Sequence, residues 1–509
     1  MQKESRVKKS IINARVNLIF YLLMLVVSFF SRKIFLENLG ADFVGLTGTL
    51  QNILGFLNLA ELGIASSVSY ALYKPICSGD RDTINEIVSV FGCLYRYIGC
   101  FVLIAAVILS IFIPFIFQNT VFDYGIIYFA FFAFLSSSLI SYFINYRQIL
   151  LTADQKNYVV AAYYQTGTII KSLVQIGLAY YTANLYLWVA VELCYGIIYS
   201  FILNWKIHQV YPWLDANVDK GKQERKRYPD IITKTKQIFV HKIKDFLLMQ
   251  SDQILIFAFV SLKMVAYYGN YVLIIGKITQ LFNTTLDGMG AGVGNLIAEG
   301  DKKKIFRVFW ELVFVRYLIG GIVVFGVWHC IEPFIALWLG KDFLLDRTVL
   351  VLLLVNTFIM LTRGAVDMFN TGYGNYKDVW AAWTEGAINL IVTIISAHYV
   401  GLAGILLGKI TSMLLIIVIW KPLFLYHSSF KVSIWHYWKG VSLNLIAFAL
   451  AFLLSGEMAN WVPIDAYENF YQWICYSLIV TLTFVVIYLL ALYCLTPGAR
   501  SMVGRIIKK

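Results

Sequence analysis

NYVLIIGKITQLFNTTLD, residues 270–287, sets Asn270, Lys277, Gln280, Thr284 and Asp287 into a run rich in Leu, Ile and Val. Their spacings of 7, 3, 4 and 3 residues place all five on one stripe of a helix with about 3.6 residues per turn. Such a helix has a polar face and an apolar one, and the rest of the chain says what the apolar face meets. Of 509 residues, 60% are hydrophobic and 14% charged, and the mean hydropathy is +0.72. Soluble domains are only about 45–50% apolar. Apolar runs of about 20 residues, the length that crosses a hydrocarbon core of about 30 Å, recur along the whole chain. The reading is an all-α polytopic membrane protein.

Apolar runs set against polar punctuation give fourteen spans, centred near Met24, Leu57, Ala105, Phe134, Ile169, Val191, Leu248, Ile278, Val323, Phe358, Ile391, Leu414, Ala449 and Val485. The first is read as a retained helix, because the basic N-terminus is followed by an apolar stretch without a small-residue cleavage site. With both termini cytoplasmic, 29 of the 42 Lys and Arg residues fall on the inner side and five on the outer, as the positive-inside rule requires. Eight bases lie within spans: Arg96, Lys171, Lys242, Lys244, Lys277, Arg316, Arg363 and Lys409. Eight acids join them: Glu61, Glu192, Asp245, Asp252, Asp287, Glu311, Asp367 and Glu385. The net charge of +13 therefore sits in loops and tails, where it suits anionic lipid headgroups and argues against nucleic-acid binding. The longest polar interval, about 205–237, is too short for a catalytic domain, and its ERKR cluster at 224–227 reads as a solvated loop.

An offset of 221 residues aligns Val44 with Val265, Gly48 with Gly269, Gly55 with Gly276, and Gly79-Asp80 with Gly300-Asp301. Two six-helix lobes are implied, at 1–208 and 233–430, joined by a cytoplasmic linker at 209–232. Six is even, so the lobes enter from the same side and are related by a pseudo-two-fold along the membrane normal. Two further spans and a basic tail occupy 431–509.

Polar stripes recur in span two (Thr47, Gln51, Asn58, Glu61) and span ten (Asn356, Arg363, Asp367, Asn370). A charge at the bilayer centre costs at least about 2.5 kcal/mol, so these faces turn to a bundle interior or a watery cavity. Glu61 either faces water or closes an ion pair between packed helices. Arg363 with Asp367 and Lys242 with Asp245 have the spacing of local pairs. Glu311 and Arg316, five apart, fall on different faces. GIASS at 63–67 and DGMGAGVG at 287–294 mark either loosened helix at a central site or close packing of small residues. The glycine cluster lacks P-loop spacing. The six histidines and seven cysteines lack the spacing of a metal site.

The stretch SRKIFLENLGADFVGLTGTLQNILGFLNLAELGIASSVSYALYKPI, residues 31–76, resembles the first two helices of the polysaccharide-transporter branch of the multidrug/oligosaccharidyl-lipid/polysaccharide exporter superfamily. It is similar in particular to flippases for O-antigen and capsule repeat units, and the basic loop AEGDKKKIFR and the fourteen spans agree with this. The resemblance implies a V-shaped pair of lobes around a cavity. It also implies a cargo of undecaprenyl-diphosphate-linked oligosaccharide moved across the bacterial inner membrane by alternating access. Cationic cavity residues would correspond to Lys277, Arg316, Arg363 and Arg96, with Gln280 on the same stripe as Lys277. Glu61, Asp252, Asp287, Asp245 and Asp367 are the candidates for coupling-ion binding or for gating pairs. No resident cofactor is expected, with a proton or Na⁺ as the coupling ion. The expected partners are the lipid-linked oligosaccharide, membrane lipids and polysaccharide-assembly proteins. The chain is not read as an enzyme. The alternatives are an exporter of the same fold for drugs or the peptidoglycan lipid precursor and, more distantly, a membrane glycan polymerase or glycosyltransferase.

Overall fold

The computed structural model describes residues 6–58, 64–118, 120–154, 156, 158–229, 231, 235, 252–287, 290–375 and 378–507. These residues are helical with short connections, and no strand occurs among them. The protein is an all-α polytopic membrane protein. Its contacts divide it into two compact units, Met1–Ala266 and Tyr267–Lys509. The division falls inside a helix, and the interval expected to link the lobes, 209–232, belongs to the first unit.

The first unit contains α1 (Arg6–Leu39), α2 (Ala41–Leu57), α3 (Ile64–Ser78), α4 (Arg81–Ile111), α5 (Tyr124–Phe143), α6 (Tyr158–Thr182), α7 (Leu185–Val210) and the short α8 (Val218–Glu224). Then come α9 (Leu262–Asp287), α10 (Gly290–Glu299), α11 (Lys302–Trp338), α12 (Arg347–Thr362), α13 (Gly364–Gly372), α14 (Val379–Met413), α15 (Trp435–Ala459), α16 (Phe470–Leu495) and α17 (Pro497–Ile507). Thirteen of the fourteen expected span centres fall on or beside this helical framework, and the remaining one, near Leu248, lies outside the described residues.

Large apolar side chains cover the outer faces of the helices: Phe201 on α7, Leu453 on α15 and Leu482 on α16 are all exposed. In water such a surface would aggregate, whereas in a bilayer it meets solvent of its own kind. The cores are aromatic. Phe309, Phe369, Phe430 and Tyr437 cluster where α11 meets α13 and α15, and Phe325 stacks on Phe484 with ring centroids 4.1 Å apart.

The repeat seen in the sequence has a local structural counterpart. Gly79 and Gly300 both take a positive φ, +74° and +78°, a conformation that glycine adopts without steric cost. Each is followed by an aspartate that caps the next helix. The Asp80 carboxylate accepts from the Thr83 amide at the start of α4, and Asp301 accepts from the Lys303 and Lys304 amides at the start of α11. The Thr83 hydroxyl and amide together hold the Asp80 carboxyl below its usual range. A side-chain acceptor at an N-cap satisfies amides that the helix leaves orphaned.

Span two is described only in part. Here α2 stops at Leu57 and α3 begins at Ile64, with Glu61 between them and outside the described residues. The Thr47 hydroxyl returns to its own helix carbonyls. Asn58 Oδ1 accepts from Ser138 and Tyr142 hydroxyls at 3.1 and 3.0 Å, so it serves packing against α5. Spans eleven and twelve form a hairpin. The helix reverses at Val400 and Gly401, the latter at φ +54°, and continues beyond Met413 to Phe430 through wider π-type turns at Leu414–Trp420 and Tyr426–Phe430.

The ERKR cluster at 224–227 is largely exposed, as expected of a solvated loop, while the chain on either side of it lies strapped along α4. The Asn85 side chain accepts from the Asp215 amide and the Ser89 hydroxyl from the Asn217 amide. Tyr146 and Arg147 both donate to the Ala216 carbonyl, and Arg81 stacks over Trp213. Glu86 accepts from Tyr228 at 2.7 Å and pairs with Arg227 at 3.5 Å. Burial, followed by that bond to Glu86, pushes the Tyr228 phenol well up. The approach depends on Gly221, where a Cβ would sit 2.0 Å from the Ser89 carbonyl oxygen. Gly221→Ala is therefore expected to lift the strap and speed tryptic cleavage at residues 220–227 by about tenfold or more. Cleavage at the wild-type rate would contradict this close contact.

Candidate functional site

The polar stripe of residues 270–287 lies on one uninterrupted helix, α9, as its spacing requires. Asn270 is buried, Lys277 half-buried and Gln280 exposed. Asp287 is the last residue of α9, and its side chain lies outside the described residues, as do Glu61 and Asp245.

One turn beyond Gln280, Asn283 accepts a 3.0 Å hydrogen bond from Arg316 Nη1. Arg316 sits midway along α11 and is only 3% exposed. Its guanidinium lies flat against Gly364, where a Cβ would stand 2.4 Å from Arg316 Cζ. Gly364 opens α13 directly after α12 ends, and the residue at the junction is Arg363. Arg363 Nε pairs with Asp367 Oδ2 at 2.7 Å, and Nη1 approaches the Met360 sulfur. That i,i+4 pair is the one the sequence indicates.

In the second unit, Arg316 on α11 thus meets both Asn283 of α9 and Gly364 at the α12–α13 break, whose junction residue Arg363 pairs with Asp367. Lys277 lies six residues before Asn283, about 9 Å along the helix at about 1.5 Å per residue. Arg316 and Arg363 offer planar guanidinium forks, and Lys277 carries an ammonium further along α9 on a different side of the helix from Asn283; these are the donor types that recognise phosphate oxygens. Neither Asn283 nor Gly364 stood out in the sequence. Asn283 was within reach, since it falls three residues after Gln280 on the same face. Gly364 carried no signal, because its role is to leave room for a side chain from another helix.

The remaining candidates belong to the first unit. Arg96 is exposed on α4, beside Tyr97, whose ring faces Arg225 of the strap. Asp252 is buried and precedes Gln253, whose side-chain oxygen accepts from Asn52 of α2 at 2.6 Å. Lys171, which has no local partner in sequence, pairs across helices with Glu192 at 2.7 Å and lies over the Tyr195 ring. Gln175 completes that network by donating to both Glu192 and the Trp188 carbonyl. In the second unit, Glu311 pairs with Arg505 and accepts from Ser501 of α17. Several embedded charges are therefore structural pairs, and the candidate site is the region around Arg316 and Arg363, where two cations lie close to the α12–α13 break. No group of three or more His, Cys, Asp or Glu side chains suited to a metal ion occurs among the described residues.

No family model and no curated protein matches the chain. Among solved structures, it is similar to an inward-facing multidrug resistance MATE family transporter of the MOP superfamily. That likeness has a TM-score of 0.59 and 16% identity, and covers 82% of this chain and 99% of the other. It is also similar to the lipid II flippase MurJ in an inward closed conformation, with a TM-score of 0.64, 13% identity, and 94% and 97% of the two chains covered. At these identities the likeness is one of fold alone: the chain shares the helical architecture of those two proteins.

Proposed function

We propose that the protein is a flippase that moves undecaprenyl-diphosphate-linked oligosaccharide repeat units across the bacterial inner membrane by alternating access, serving O-antigen, capsule or exopolysaccharide assembly. The observation that carries this reading is the Arg316 guanidinium set against Gly364, the neighbour in chain of Arg363, and bonded to Asn283 on the helix that also bears Lys277. Guanidinium and ammonium donors replace the hydration of a diphosphate, while the polyprenyl chain stays in lipid. Both termini are cytoplasmic in this reading. Asp252 and Asp367, with Glu61, Asp245 and Asp287, are the groups assigned to proton or Na⁺ coupling or to gating pairs, and the cargo is handed to polysaccharide-assembly proteins.

The test is flipping of a fluorescent polyprenyl-diphosphate oligosaccharide by the protein in liposomes, with a cationic drug and the peptidoglycan lipid precursor run alongside. Lys277→Ala and Arg363→Gln are each expected to lower flipping by about tenfold or more, the loss of one charge-assisted bond. Wild-type rates in both variants remove these residues from the mechanism. Transport of the peptidoglycan precursor alone would favour the second reading, which the similarity to the lipid II flippase over 94% of the chain supports. Transport of the drug alone would overturn both.

A further inference from the structure

Two cavities of the second unit share the walls Trp328, Phe452 and Leu453. The larger, about 830 Å³, runs between α11, α12 and α15 and is lined by apolar groups such as Val324, Val355, Phe358, Leu445 and Phe452. The smaller, about 500 Å³, lies at the end of α11 remote from its lysine-rich start. Its wall is polar and includes Glu332, Arg347, Glu457, Asn460, Asp465 and Tyr467. Together they make a long apolar trough that opens into a polar bowl, the outline of one amphiphile. Both volumes fall in the range of about 300–1,000 Å³ typical of ligand sites.

Among the described residues, the charges in the bowl make no ion pairs. Arg347 stacks over Trp328 at 5.1 Å and makes no ion pair among the described residues. Neither Glu332 nor Glu457 makes one among those residues. Among the described residues, the Asp465 carboxylate accepts from the Tyr467 amide and makes no ion pair. Burial and the field of Glu332 push the Tyr467 phenol up, with Arg347 opposing, so its hydroxyl stays neutral and able to donate.

We propose that this composite cavity binds a zwitterionic aminophospholipid of the phosphatidylethanolamine type. The phosphodiester sits on Arg347, the ammonium lies among Glu332, Glu457 and Asp465, and an acyl chain fills the trough. Lipid tails are as apolar as the trough, so the chain gains little by moving into it, and selectivity rests on the head. An anionic head would face three carboxylates. A neutral sugar head would leave Arg347 without an anion. A head carrying both signs matches both. The assignment is independent of the cargo proposed above, since it concerns a lipid held at one end of the second unit and is read by retention, not transport.

The experiment is native mass spectrometry of the purified full-length protein titrated with phosphatidylethanolamine, phosphatidylglycerol and a diglucosyl diacylglycerol of matched chains. The ethanolamine lipid is expected to be retained at about tenfold lower concentration than either rival, as several partly exposed charge contacts acting together supply. Glu332→Gln/Glu457→Gln/Asp465→Asn should abolish that preference, Arg347→Gln should weaken both phospholipids, and Leu445→Trp should weaken all three lipids. Glu457→Gln alone, on an exposed side chain, provides the same readout if the triple variant does not fold. Equal retention of the three lipids, preference for phosphatidylglycerol, or unchanged preference in the carboxylate and arginine variants would overturn the proposal.

Discussion

Valine in place of Gly408 is expected to destabilise the second unit by about 3 kcal/mol or more, at the upper end for overpacking in a closed interface. The two arms of the hairpin that turns at Gly401 touch backbone to backbone. A Cβ at Gly408 would lie 2.1 Å from Thr393 Oγ1 and 2.6 Å from the Thr393 amide nitrogen, and one at Gly404 would lie 2.3 Å from the Ser396 carbonyl. Glycines four apart are how membrane helices approach this closely when hydrophobic driving force is absent. The Ser396 hydroxyl donates to the Gly404 carbonyl at 2.7 Å, and that bond would be lost with the contact. Gly386 lies on the same helix with open space around it. Gly386→Ala should therefore leave stability unchanged or raise it slightly through helix propensity. Thermal unfolding in detergent separates the two: a Gly408→Val protein melting with wild type would refute the close packing.

Removal of Glu192 is expected to cost about 3–5 kcal/mol, because it strands the Lys171 ammonium within the membrane span. Both side chains are 16% exposed, and Gln175, the other polar neighbour, presents its amide to Glu192 rather than to the lysine. Glu192→Leu alone should lower the melting temperature sharply. Lys171→Met/Glu192→Leu should recover most of the loss, since an apolar pair of similar volume avoids desolvating either ion. A double variant no more stable than the single ones would mean that the network, and not the pair, holds α6 to α7.

Some of the architecture was legible because its causes are local. The polar stripe of residues 270–287 needs only the helical period, and α9 is continuous there. The Gly-Asp pairs at 79–80 and 300–301 combine a residue free to take positive φ with a capping carboxylate, and both turns form that way. Arg363 and Asp367 are one helical turn apart and do pair.

What the sequence alone determined was the membrane class, the succession of helices, and which faces are polar, because composition and a period of about 3.6 residues act within one segment. Only the tertiary structure decided which charges are spoken for. Glu311 meets Ser501 and Arg505 across about 190 residues of chain. Glu86 holds the strap through Tyr228. Arg316 rests on a glycine from another helix, facing Asn283. These contacts cross between segments distant in the chain, where neither spacing nor propensity reaches, and in a low-dielectric interior they decide which polar partner each buried charge meets.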